Sequence, residues 1–437
     1  MIAYPAGPIS PPRRAVAEDG EKKIPERLLA KFWKERAARQ TGLRTEAGKR
    51  VRVVYPGRSG VTAGPDFRDA LLEVEGVGFV RGDVELHIRQ RDWDSHGHGG
   101  DPNYNGVVIH GALEVHSEET RLQSGSVAPV VDLSALLTEV TTEGPIEGRD
   151  GEPLFDLWRV LSRRGFPRPA TLEEAKGALD RAGDQRFKSK ARWLLTCIQA
   201  DGPDQALYQA LMEGLGYGSN RRPFFELATR APYGALAKAA LQLPPGQRLS
   251  AIAGWLSACS GLNASGPACP SGRAGRPGPK GFGPAMDHGE WRLFRVRPAN
   301  HPRRRIMGAA MLLDRFLEPG LAAGLREVVE KRSPSELTGS LRARAETGPA
   351  YVGRGRAMDL AVNAVLPFMH AWDESQSRLG TPGAEEVIYR ELPKLAENEI
   401  TREMTVQLLP VEWRGAVANA RRQQGLLHLS DLLKGAY

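Results

Sequence analysis

Five of the nine histidines in the chain fall between Gly64 and His116, at His87, His96, His98, His110 and His116. Asp66, Asp83, Glu85, Asp92 and Asp101 are interleaved with them. Imidazoles and carboxylates bind divalent metals and carry protons near neutrality, so chemistry is expected here. Two groups separate within the stretch. In the first, Pro65-Asp66 sets a carboxylate ahead of one strand and Glu85-Leu86-His87 sets an acid-x-base pair on the next. Carboxylates meeting on one sheet face hold a divalent cation through oxygen, Mg or Mn, while a neighbouring imidazole orients water or offsets phosphate charge. In the second, His96-Gly97-His98 with Asp101 or His110 has the composition of a transition-metal site, with zinc as the alternative ion. Trp93 and Tyr104 flank this group, as pocket walls or as a platform on which a base stacks.

These groups need elements that bring them together. Residues 25–40 read as an amphipathic helix, with Pro25 at its start, Leu28, Leu29, Phe32 and Trp33 on one face, and Gly42 as its stop. Strands are expected over 51–55, 67–75, 79–88, 107–115 and 127–133. From Asp83 the alternation is strict: Val84, Leu86 and Ile88 point one way and Asp83, Glu85 and His87 the other. Residues 91–106 read as a Gly/His/Asp-rich loop. After about residue 134 the period becomes helical. Helices are expected over 154–164, 171–182, 188–200, 205–215, 223–231 and 249–260. They resume over 304–331, 335–346, 358–372, 384–389 and 392–408.

The order of helix, strand, strand headed by Pro65-Asp66 and strand carrying Glu85-x-His87 resembles the PD-(D/E)XK nuclease superfamily, with His87 where that family has lysine. The resemblance implies that Asp66 and Glu85 hold the metal and that His87 positions water. Glu26 or Glu35 of the first helix would support them, and nucleic acid would be the substrate. The periodicity gives an α+β fold, a mixed-sheet domain over 24–140 followed by a larger all-α region over 150–260 and 291–437, and the resemblance makes the first domain restriction-endonuclease-like. Residues 1–23 read as a disordered, Pro-rich lead-in, and 261–290 as a flexible Gly/Pro-rich loop.

A wider resemblance rests on GPDFRDA (64–70), GDVELH (82–87), DW-x-x-HGH-x-x-DP-x-YN (92–105) and VVIH (107–110). Further back it rests on LMEGLGYGSNRRPFFELA (211–228), RPANHPRRRI (297–306) and VNAVLP (362–367). Together these look like an uncharacterised bacterial family, domain of unknown function 2851. That resemblance covers the chain from about Pro25 to near its end and implies no particular activity. Gly111-Ala112 follows His110 where the family pattern has apolar β-branched residues.

Lys and Arg number 60 against 52 acids, a surplus of eight that permits nucleic-acid binding without requiring it. Arg297 and Arg303 bracket two prolines ahead of a helix, where positive charge opposes the dipole and invites an anionic substrate group. Three cysteines without C-x-x-C spacing argue against a disulfide framework or a four-cysteine zinc site. No apolar run approaches membrane-spanning length, and the first residues lack a secretory core, so a cytoplasmic protein without a membrane partner is expected. Three functions stand open. The first is a metal-dependent phosphodiesterase acting on nucleic acid. The second is a transition-metal hydrolase or metal-binding protein using His96, His98 and His110. The third is a non-enzymatic scaffold or nucleic-acid-binding protein whose polar strand face is merely solvated.

Overall fold

The computed structural model describes residues 25–40, 42–60, 64–137, 157–262, 279–294, 296–378 and 383–434. The expected lead-in and most of the expected 261–290 loop lie outside these residues. The described residues form two compact units, one up to Leu137 and the other from Leu157 to Leu433.

The first unit opens with α1 (Glu26–Arg36), continued by a 3-10 turn (Ala37–Arg39). Glu26 sits at the positive end of its dipole, and Leu29 and Trp33, four residues apart, are fully buried. Seven strands follow: β1 (Val51–Tyr55), β2 (Arg58–Ser59), β3 (Phe67–Val74), β4 (Gly78–Arg89), β5 (Val107–Glu114), β6 (Glu119–Arg121) and β7 (Val127–Asp132). They form one mixed sheet in the order β1-β3-β4-β5-β7-β6, with β2 paired to β3. β1, β3 and β4 are antiparallel, whereas β4, β5 and β7 run parallel. The two short strands β2 and β6 escaped sequence reading because two or three residues carry no alternation.

β4 shows the expected two-faced pattern. Val84 and Leu86 join the core with Leu29, Trp33, Ile109 and Val131. The polar face is buried too, with Glu85 5% and His87 1% exposed, so it is not the solvated face that a scaffold reading requires. Gly111, where a β-branched residue was expected, lies opposite Leu86. A Cβ there would come within 2.9 Å of a Leu86 methyl and 2.7 Å of a Leu133 methyl.

Parallel pairing of β4 with β5 forces the connection to cross over the sheet. The expected loop over 91–106 is in fact helical in short pieces: α2 (Asp92–Ser95) and 3-10 turns at His98–Gly100 and Pro102–Tyr104. Gly97, with φ of 77°, turns the chain between α2 and the next piece. Trp93, 1% exposed, anchors the crossover in a small apolar cluster with Tyr104, Val107, Leu122 and Ala128.

The second unit is helical. Its helices up to Cys259 are α3 (Leu157–Ser162), α4 (Leu172–Asp201), α5 (Pro203–Leu215), α6 (Tyr217–Arg230), α7 (Tyr233–Leu241) and α8 (Pro245–Cys259). Then come α9 (Pro302–Arg315), α10 (Leu321–Glu330), α11 (Pro334–Ser340) and α12 (Arg354–Leu360). A π turn (Ala361–Val365) joins α12 to α13 (Leu366–Ser375). The chain ends with α14 (Ala384–Glu391), α15 (Glu399–Leu408) and α16 (Ala420–Lys434). The single helix expected over 304–331 is two, α9 and α10, interrupted at Pro319-Gly320.

The break expected between 182 and 188 does not exist, because α4 is one helix of 30 residues. Gly183 is there for contact: a Cβ at this position would stand 2.2 Å from the Arg421 carbonyl oxygen of α16. Gly183→Ala is therefore expected to destabilise the second unit by about 1–3 kcal/mol through overpacking. Urea unfolding of the variant measures this, and an unchanged midpoint would contradict the contact. Among the described residues no helix is long and apolar enough to cross a membrane.

Candidate metal centre

Glu85 and His87 lie two residues apart on β4 and so share a face, and His110 on β5 pairs directly across from Glu85. The crossover brings His96 and His98 over that face. His87, His96 and His98 can each offer a ligand nitrogen, all within 4.8 Å of one another. His87 Nε2 lies 3.2 Å from His96 Nδ1. Glu85 Oε1 lies 3.3 Å from His98 Nε2 and 3.8 Å from His87 Nε2. Donors each about 2.0–2.1 Å from a tetrahedral zinc sit roughly 3.3 Å apart, so these spacings suit a shared ion.

The groups behind the cluster orient it. His87 Nδ1 is 2.9 Å from His110 Nε2, and His110 Nδ1 is 2.8 Å from Thr120 Oγ1. When each Nδ1–H donates along this chain, His87 Nε2 is left bare toward the cluster, the tautomer a metal ligand needs. The other Glu85 oxygen, Oε2, accepts the Asp66 backbone N–H at 2.8 Å, while Asp66 Oδ2 accepts the Leu86 N–H at 3.1 Å. This reciprocal pair locks the head of β3 onto β4 and keeps the two carboxylates together. The Tyr104 ring stacks on His98 at 4.0 Å, and Trp93 packs its edge against His98 and its tilted face against His110.

Without a cation the site holds protons where carboxylates usually shed them. Burial, then the charge of Asp66, pushes Glu85 up to about 8. Burial likewise raises Asp66 to about 6, and the charge of Glu26 adds to both. Burial lowers His87 to about 3 and His110 to about 4, and it also lowers His98. A divalent cation would suit the neutral imidazoles as they stand and would draw the proton from Glu85, since it favours every deprotonated form.

Among the residues expected to act, Glu85, His87, His96 and His98 come together, with Asp66 beside Glu85. His110 is not beside His96 and His98 as a ligand but behind His87 as its orienting partner. Asp101 caps the Pro102–Tyr104 turn by accepting the Asn103 N–H at 2.9 Å. Glu26 acts through its charge on Asp66 and Glu85, while Glu35 is an exposed residue of α1. His116 is exposed at the end of β5. Arg297 and Arg303 belong to the second unit, where Arg297 is exposed and Arg303 donates to the Leu262 carbonyl. Thr120 went unforeseen, since nothing in the sequence marks β6 as a neighbour of this site.

A second grouping, His370 with Glu385 and Glu386, lies in the second unit. His370 Nδ1 is 3.0 Å from Glu385 Oε1, and this hydrogen bond raises the histidine's pKa. It is described fully by a proton shared in an ion pair.

No curated protein and no solved structure matches the chain. A family model does, over residues 26–253, more than half of the chain and including every residue of the centre. The chain belongs to the family described as protein of unknown function (DUF2851).

Proposed function

We propose that the first unit is a metal-dependent phosphodiesterase acting on nucleic acid, with the metal held by Glu85, His87, His96 and His98. Three imidazole nitrogens within 4.8 Å of one another, with the buried Glu85 carboxylate against two of those histidines, carry this reading. A donor set of three nitrogens and one oxygen favours Zn or Mn over Mg. When bound, the ion would supply Lewis acidity and a more acidic water. Asp66, outside the nitrogen cluster but hydrogen-bonded to the same strand, is placed to take a proton. Tyr104 and Trp93 wall the site and exclude water. The nuclease part of the proposal leans on the likeness to the PD-(D/E)XK order. Here α1 and the antiparallel β1, β3 and β4 precede a crossover to parallel β5, with Asp66 heading β3 and Glu85 on β4. The imidazole-rich set equally favours a second reading, a zinc hydrolase acting on another bond.

The test is metal analysis of the purified full chain, followed by cleavage assays on DNA, RNA and a chromogenic phosphodiester with Zn, Mn and Mg. About one Zn or Mn per chain, and cleavage lost in His98→Ala, is the expected result. Metal binding without phosphodiester cleavage would leave the zinc hydrolase reading in place of the nuclease one. Absence of stoichiometric metal would end both.

A further inference from the structure

The second unit contains a cavity of about 320 Å³ bordered by α11, α12 and the segment that follows α14. This volume is at the small end of sites that enclose organic ligands. Two arginines face it, Arg342 just beyond α11 and Arg354 at the start of α12. Met358, Leu392 and Pro393 supply an apolar side, and no acidic side chain lines it. Among the described residues neither arginine has a carboxylate partner. The Arg342 Nε is buried without a hydrogen-bond acceptor. Its backbone is held from the other side, where Arg315 donates to the Arg342 carbonyl at 2.9 Å.

Two guanidinium groups facing one cavity without a carboxylate are matched by an oxyanion, which accepts from a planar fork. The apolar side asks for carbon attached to that oxyanion. We propose that this cavity binds a small organic oxyanion, a phosphate ester or carboxylate. Arg342 and Arg354 grip its anionic end, and Met358, Leu392 and Pro393 cover its body. The site is carried by the second unit alone and does not depend on the metal centre.

Isothermal titration of the full chain with phenyl phosphate, benzoate, inorganic phosphate and neutral benzyl alcohol tests it. Saturable binding of phenyl phosphate or benzoate is expected, and the better of the two identifies the anion. Benzyl alcohol should not bind, and inorganic phosphate should bind about tenfold or more weakly than phenyl phosphate. Arg354→Gln should weaken binding about tenfold, or roughly 1.4 kcal/mol, without lowering the unfolding temperature, because Arg354 is exposed. Arg342→Gln should do the same, and Arg354→Gln stands as the test should that variant fold poorly. No saturable binding by either organic anion, or equal binding in Arg354→Gln, overturns the proposal. Inorganic phosphate binding as tightly as phenyl phosphate overturns the apolar half of it.

Discussion

Replacing Glu85 with glutamine is expected to stabilise the metal-free protein at alkaline pH while loosening its hold on metal. The two effects share one cause. Glu85 is 5% exposed, and burial beside Asp66 raises its pKa to about 8 from an ordinary 4.5. The folded state therefore holds a proton that the unfolded state releases. The stability this contributes is full below about 4.5 and is lost as pH rises through about 8. His87 and His110, lowered to about 3 and 4, act in the opposite sense, since their cost appears as pH falls below 6.5. Between pH 7 and 9 these imidazoles are neutral and Asp66, at about 6, is ionised, whereas Lys190 of the second unit, lowered by burial, acts in the opposite sense, so the difference between wild type and Glu85→Gln isolates Glu85. In chelator, the urea midpoint of the wild type should fall relative to that of Glu85→Gln from pH 7 to pH 9. The variant keeps a carbonyl oxygen for the Asp66 N–H but loses the anion, so metal affinity should drop about tenfold or more. A wild-type midpoint that does not fall relative to the variant's over this range would mean that Glu85 is not held protonated.

The second large effect separates a ligand from its support. His87→Ala removes a nitrogen from the cluster and is expected to cost metal affinity by more than about a hundredfold. His110→Gln leaves all the proposed ligands in place but replaces the rigid imidazole that orients His87 with a flexible amide. Loss of such an orienting partner costs about 10–100-fold in affinity. Thr120→Val, one step further back, should cost less again, because its hydroxyl reaches the cluster only through His110. Competition with a chromogenic chelator gives all three values, with the stoichiometry expected to stay near one in His110→Gln and Thr120→Val. Equal losses in His87→Ala and His110→Gln would place His110 among the ligands instead.

The front of the molecule was legible wherever a period was long enough to read. Alternation from Asp83 to Ile88 placed Glu85 and His87 on one face, and four residues around Trp33 gave α1 an apolar face, which the structure packs with Val84 and Leu86 in one core. The five longer strands were found because each run was bounded by turn residues, but their order in the sheet was not legible. Boundaries in the helical unit were read less well, since a glycine inside a helical period looks the same whether it stops the helix or admits a neighbour. At Gly183 the neighbour decides, through the backbone of Arg421.

At the site, residue types alone determined that a metal centre could be built from Asp66, Glu85 and these histidines, because imidazole and carboxylate chemistry is local. Which of them come within ligand distance of one another was beyond the sequence. His96-Gly97-His98 lies in a Gly-rich stretch with no period, and its place follows from the parallel pairing of β4 with β5, which sends the connection across the sheet. His110 reads as a ligand by composition, yet register sets it beside Glu85 and behind His87, where it holds a tautomer. Which side chains meet here is a property of strand register and of the crossover, both of which come from pairings made between distant parts of the chain.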